Sequence, residues 1–171
     1  LAPLSCTHPH KTLRRYNTEC CRVDFEKELG LRIMIYNIVF RAASQDVALT
    51  PILSFYHKYY FRVFFKAERS GSGAYRILKD CRGYLWYCPT TLERGFSASL
   101  NELENKLCLD GSKPVIFGPI WRCKLGDPEF AEKIVEEASR NEDAISAESV
   151  SIARALVSEY DILNPYIRYD K

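Results

Sequence analysis

The sequence predicts an α/β fold with α+β character, and three observations carry that expectation. Apolar residues from Cys21 to Phe40 (Cys21, Phe25, Leu29, Ile33, Tyr36, Phe40) recur every three to four positions, the period of a helix. The run HKYYFRVFFKAER (57–69) instead places Tyr59, Phe61, Val63 and Phe65 in alternation with Tyr60, Arg62, Phe64 and Lys66, the period of a strand. Beyond the Gly-Ser turn SGSG (70–73), short strand-like runs give way to two amphipathic stretches.

A chain of 171 residues, 47% hydrophobic and 27% charged, is an ordinary globular composition with room for one good core or two small domains. LAPLSCTHPHKTLRRYN has two prolines and no periodicity, and reads as a basic loop. A helix is expected over 18–44 with Thr18 as N-cap; its middle, Leu31 to Phe40, is apolar on nearly all sides and calls for deep burial. Gly30 marks a kink or a close contact. Two strands follow over 50–68, and aromatics on both faces of the second imply cover on two sides. YRILKDCRGYLWYC (75–88) suggests a hairpin, Ser99 with Glu102 a capping box, and KPVIFGPIW a buried strand. Asp127-Pro128-Glu129 opens a helix to about Arg140, since Asp caps and Pro suits the first helical position. A last helix starts near Ser146, and NPYIRYDK closes the chain as an aromatic, strand-like segment.

Charge is unevenly distributed. Residues 1–95 carry 15 Lys and Arg against 8 Asp and Glu, whereas residues 96–171 carry 9 against 14. The first part therefore suits a polyanion and the second a solvated acidic surface. No segment has the length or purity of a membrane span, and residues 1–5 lack the pattern of an export signal. Seven cysteines, without the spacing of a secreted scaffold, point to a cytoplasmic protein with most thiols buried or inert. The opening residue, Leu1, points to a fragment.

Two cysteines raise a chemical question. With thiolates at 91 and 111, Cys88 and Cys108 would complete a C-x2-C-x16-C-x2-C zinc ribbon, but Thr91 and Gly111 stand there. The leading expectation is a degenerate, metal-free knuckle held by packing, with zinc unlikely on this ligand count. A rearranged site with Cys81 or Cys123, or a Cys88–Cys108 disulfide, are the alternatives. No Ser/His/Asp set, carboxylate pair or complete nucleotide loop stands out. The interleaving of cations with aromatics in HPHKTLRR and HKYYFRVFFKAER suits RNA, whose phosphates need cations and whose unstacked bases need rings. Lys11, Arg14, Arg15, His57, Lys58, Arg62, Lys66 and Arg69 are the candidate contacts, with the strand aromatics assigned to the core.

In order, APL-Cys-Thr, Thr18-Glu19, GLRIMIYNIVFRAA, LTPILSFYHKYYFRVFFKAER, YRILKDCRGYLWYC, GPIWRCKLGDPEF and PYIRYDK resemble the later half of the tRNA guanine-26 N2-dimethyltransferases, the archaeal type above all. The likeness runs over nearly the whole chain and is most specific at HKYYFRVFFK and GPIW…DPEF. It implies an enzyme using S-adenosylmethionine on tRNA. Residues 1–68 would be the end of a Rossmann-like methyltransferase domain, a last helix plus an antiparallel hairpin. Residues 69–171 would be a family-specific α+β C-terminal domain, incomplete at Lys171. The cofactor-binding glycine loop and the catalytic Asp-Pro-Phe-Gly-type motif would lie upstream of Leu1, so this portion alone transfers no methyl group and mainly holds tRNA. DPEF matches the helix-opening segment rather than that motif. The chain departs from the family in keeping one cysteine of each Cys-x-x-Cys pair, in longer spacing between Thr18-Glu19 and GLRI, and in Ile120 for Leu. The alternative is a non-catalytic RNA-binding or protein-interaction module.

Overall fold

Helix α2 (Glu26–Ala43) is the element on which the others are laid. Glu26 and Glu28 in its first turn and Arg41 in its last match the helix dipole, and leucine, isoleucine and methionine dominate between them. A computed structural model describes residues 3–141 and 146–160. In it α2 is buried along most of its length, Ile33, Ile35 and Val39 completely. One side meets an antiparallel hairpin, β1 (Val47–His57) and β2 (Tyr60–Arg69), and another meets a three-stranded antiparallel sheet. That sheet has the order β4 (Arg94–Ser97), β3 (Arg82–Tyr87), β5 (Val115–Trp121). Leu85, Tyr87, Phe117 and Ile120 from the sheet close on Leu4, Phe25, Leu29 and Ile33. Val63, Phe65 and Leu49 from the hairpin close on Ile35, Tyr36 and Val39, beside Trp121. The helical period and the alternating period of the sequence thus translate directly into these two interfaces.

At Gly30 the contact is so close that a Cβ would lie 2.7 Å from the Leu4 carbonyl oxygen and 2.8 Å from the Phe61 ring. The glycine is a packing residue, and α2 continues through it.

The helix begins later than expected. Thr18 does not cap it: its hydroxyl donates to the carbonyls of Tyr16 and Pro119, and Glu19 forms a two-way backbone bridge with Gly118. Thr18 and Glu19 spend their polar groups on the sheet, and the first carbonyls used by the helical turn are those of Val23 and Phe25. In place of the expected basic loop, Pro9–Tyr16 form helix α1, with Pro9 in the first turn, Arg14 and Arg15 in the last, and a left-handed Asn17 at its end. Thr12 faces inward, donating to the carbonyls of Pro3 and His8.

SGSG is not a turn. Ser70 caps helix α3 (Gly71–Cys81), accepting from the Gly73 amide, and β3 starts directly at Arg82, so the expected hairpin over 75–88 is a helix followed by a strand. The expected capping box shrinks to one 3-10 turn, Asn101–Leu103; Glu102 reaches back to the Ser97 hydroxyl and the Ala98 amide instead of Ser99. Asp127 and Ser146 do cap α4 (Pro128–Arg140) and α5 (Ala147–Glu159), as the sequence implies. This helical pair packs Ala131, Leu156 and Tyr160 against Leu53 and Phe55 of β1. The buried Tyr160 hydroxyl accepts from the Ser54 amide and donates to its carbonyl, and burial pushes its pKa up to about 12. The C-terminal NPYIRYDK lies outside the described residues.

The cover expected on both faces of β2 exists on one only. Phe61, Val63 and Phe65 face α2, while Tyr60, Arg62, Phe64 and Lys66 are exposed, Phe64 by 46%. The expectation of inert thiols is also corrected: six of the seven cysteines pair, as Cys6–Cys20, Cys81–Cys123 and Cys88–Cys108, leaving Cys21 free.

At the centre Arg32 is only 1% exposed. Its guanidinium meets the Glu28 carboxylate at 2.7 Å, donates to the carbonyls of Trp121 and Cys123, and lies 4.6 Å from the centre of the Phe96 ring. Glu28→Ala would leave that cation buried without its counter-charge, an expected loss of about 3–5 kcal/mol by chemical denaturation, whereas Glu28→Leu with Arg32→Met should restore most of it. Cys81–Cys123 closes a sequence separation of 42 residues. Replacing both cysteines by Ala should cost about 4 kcal/mol by chain entropy, read as a lowered denaturation midpoint under oxidising conditions.

Candidate nucleic-acid interface

The eight candidate cations fall into three groups rather than one patch. Lys11, Arg14 and Arg15 sit at helical spacings that put them on one exposed face of α1, opposite the buried Thr12. His57 and Lys58 sit at the tip of the hairpin, where a left-handed Lys58 turns the chain. Both are engaged by Glu148 of α5, at 3.3 Å and 3.0 Å, and the hydrogen bond from Lys58 holds that carboxyl below its ordinary range. Lys66 and Arg69 lie toward the opposite end of β2, roughly 20 Å and 30 Å along the strand from its start at Tyr60. Between the two ends Arg62 stacks over the Tyr60 ring, its guanidinium 5.2 Å from the centroid. Among the described residues the α1 trio and the Lys66–Arg69 end have no ion-pair partner, whereas the tip is matched by Glu148.

Of Tyr59, Phe61, Val63 and Phe65, expected in the core, Tyr59 is exposed by 85%, and Tyr60 and Phe64 on the other face are exposed as well. Period-2 alternation marks two faces of a strand without saying which is covered. Nothing in the sequence pattern singles out Arg76, Lys79 and Arg82, because the run that holds them reads as a hairpin and is a helix leading into a strand.

The knuckle is held by a covalent bond. Cys88 and Cys108 are joined, with Cα atoms 5.9 Å apart, which corrects the expectation of packing alone. Where the ribbon pattern has its second thiolate, Thr91 donates to Glu93, and the same carboxylate accepts from the Leu109 amide across the loop, both at 2.8 Å. Asp110 receives Thr90 at 2.6 Å and both the amide and hydroxyl of Ser112. A zinc ion does not fit this donor set, since the two sulfurs are spent on each other. No three His, Cys, Asp or Glu side chains converge among the described residues. A cleft of about 330 Å³ between α2, β1 and α5 includes Lys27, His57 and Tyr160, with carboxylates of Glu28 and Glu159 among them. It brings together no nucleophile–base pair. Among the described residues no helix is long and apolar enough to cross a membrane.

Comparison with known proteins resolves the class. The family model of the N2,N2-dimethylguanosine tRNA methyltransferases matches residues 1–170. The chain belongs to that family. Among curated members it is 35% identical over 158 residues to the tRNA (guanine(26)-N(2)/guanine(27)-N(2))-dimethyltransferase of Aquifex aeolicus, covering 92% of this chain and 40% of that protein. It is 30% identical to the tRNA (guanine(26)-N(2))-dimethyltransferase of Sulfurisphaera tokodaii, over 99% of this chain and 45% of the relative. The chain therefore spans about two fifths of the length of these dimethyltransferases. The solved structure of Trm1 from Pyrococcus horikoshii with S-adenosyl-L-methionine matches with a TM-score of 0.68 at 24% identity, over 94% of this chain and 38% of that one, a likeness of fold.

The knuckle carboxyls set a pH signature. Asp110, held mainly by the Ser112 and Thr90 hydroxyls, titrates at about 2 rather than 3.8, and Glu93 is lowered chiefly by the Leu109 amide. A carboxyl lowered by folding contributes order that is complete above its ordinary pKa and lost as pH falls through the folded value. Carbon-detected NMR of the Asp110 carboxyl should place its midpoint near 2; a midpoint near 4 would show that the knuckle hydrogen bonds are absent in solution.

Proposed function

We propose that this chain is the later portion of a tRNA guanine-N2 methyltransferase that moves methyl groups from S-adenosylmethionine to N2 of guanosine 26, and that this portion binds and orients the tRNA. The observation that carries the reading is the family match over residues 1–170, set beside a chain with no nucleotide-binding glycine loop and no catalytic Asp-Pro-Phe-Gly-type motif of its own. When bound, S-adenosylmethionine supplies an electrophilic methyl group, and the residues that hold it belong to the remainder of the protein. In this reading residues 1–68 complete the methyltransferase domain with α2 and the β1–β2 hairpin, and residues 69–171 form the family-specific domain.

The division is one of ancestry more than of motion. Phe25, Leu29 and Ile33 share a core with Leu85, Phe117 and Ile120 from beyond residue 68. A tRNA contact made after residue 68 is therefore registered rigidly against whatever α2 adjoins, which is what positioning a single guanine demands. The open cations Lys11, Arg14, Arg15, Lys66 and Arg69 are the proposed phosphate contacts, with Arg62 beside them. His57 and Lys58 join them only where RNA displaces Glu148.

The test is methyl transfer by the full-length protein from labelled S-adenosylmethionine to a tRNA transcript. N2-methylated guanosine should appear at position 26 and vanish from a transcript with adenosine there, while residues 1–171 alone should transfer nothing. Methyl groups mapping elsewhere, or activity in residues 1–171 alone, would overturn the reading. Retained tRNA binding with no transfer by the full-length protein would instead mark a non-catalytic RNA-binding module.

A further inference from the structure

Helix α3 joins cations that are far apart in sequence. Lys66 of β2 and Arg76 of α3 line one groove of about 330 Å³. Lys79 is one turn further along the helix, Arg82 opens β3 immediately after it, and Arg122 follows β5. The last two are locked side by side: the Arg122 side chain donates to the Arg82 carbonyl at 3.3 Å, its amide donates to the Cys81 carbonyl at 2.8 Å, and the Cys81–Cys123 disulfide brackets both. The eleven residues of α3 span roughly 16 Å, so the band extends from the end of the hairpin across the helix to the edge of the sheet.

Elsewhere the chain pairs some of its cations with its own carboxylates: Lys58 with Glu148, Lys27 with Glu26, Arg32 with Glu28, Arg140 with Glu137. None of Lys66, Arg76, Lys79, Arg82 and Arg122 has an ion-pair partner among the described residues, although Glu68 and Asp80 line the same groove as Lys66 and Arg76. Tyr75, on the same helix, is 66% exposed. A row of guanidinium and ammonium groups without carboxylate partners, of which Arg82 also donates to the Tyr84 hydroxyl at 3.4 Å, is complementary to a row of phosphates, and arginine can add two-point hydrogen bonding to each. Such contacts set the register of a nucleic acid without reading its bases.

On the reading above, that the partner is tRNA, we infer that Lys66, Arg76, Lys79, Arg82 and Arg122 form a phosphate-backbone track that seats one face of the folded RNA. The track leaves base recognition to the rest of the protein. Its rigidity comes from α3 and from the disulfide that fixes the helix end to the strand end.

The test is tRNA binding by the full-length protein across a salt series, with Arg76→Ala plus Lys79→Ala as the variant. Both residues are exposed and Ala is a strong helix former, so the melting temperature should not move. The expected result is affinity lowered about tenfold or more at fixed salt, and a log–log salt slope shallower by about 2, one for each phosphate contact removed. Arg76→Glu plus Lys79→Glu should lower affinity further, and Arg140→Ala, a paired cation on α4, should change neither quantity. Unchanged affinity and slope in the α3 variants, while the parent protein binds tRNA, would overturn the track alone. Lowered affinity with an unchanged slope would overturn it too, because the lost contact would not be to phosphate. A parent protein that binds no tRNA at any salt would overturn the functional reading itself, and an acidic protein partner would then be the occupant to seek.

Discussion

A single buried cation constrains this fold more than any apolar contact does. The Arg32 guanidinium, out of water, must be neutralised and its hydrogens satisfied, and the chain meets both needs at one point. Glu28, one turn earlier on α2, supplies the charge; the carbonyls of Trp121 and Cys123 supply acceptors; the Phe96 ring covers a face. Those partners come from the helix, the end of β5 and the strand β4. Apolar surfaces can slide over one another at little cost, but this set of partners has one solution. The sheet is thereby set in register on α2, and the hairpin packs against what remains of that helix.

The Cys81–Cys123 and Cys88–Cys108 bonds act on the same sheet from outside. Cys81–Cys123 joins the end of α3 to the residue two beyond β5, whose own carbonyl Arg32 grips. Cys88–Cys108 ties the loop after β3 to the loop before β5, where a four-thiolate ribbon would have used a metal. Glu93 and Asp110 then supply local hydrogen bonds that hold the two loops in shape. A covalent link of two sulfurs can replace a tetrahedral centre because the sheet beneath already fixes where the loops begin and end.

How much of this was legible in the sequence depends on how local the deciding physics is. α2, the hairpin, and the caps at Asp127 and Ser146 were readable because hydrophobic period and capping chemistry act within a few residues. Helix α3 was not, because two glycines in its first turn are turn signals until Ser70 is seen to accept from Gly73. Thr18 misleads similarly: its hydroxyl is used by Pro119, a hundred residues away, and no window contains both. The cysteine pairs depend on which loops meet, so they were open alternatives at best. For the interface, the sequence marked Lys66 and Arg69, but it could not show that Glu148 silences the hairpin tip or that α3 brings further cations beside Lys66.

The hairpin has two outer edges, and they are treated differently. Along β1 the edge is occupied: Ile52, at the bulge after Pro51, gives its carbonyl to the Asp127 amide, and Ser54 gives both backbone groups to the Tyr160 hydroxyl. Among the described residues strand β2 pairs with β1 alone, and its open face carries Tyr60 and Phe64. The β2 side is therefore where this hairpin, as described, keeps an unpaired backbone edge, and in any protein such an edge is the place where a further strand can add or where copies can adhere.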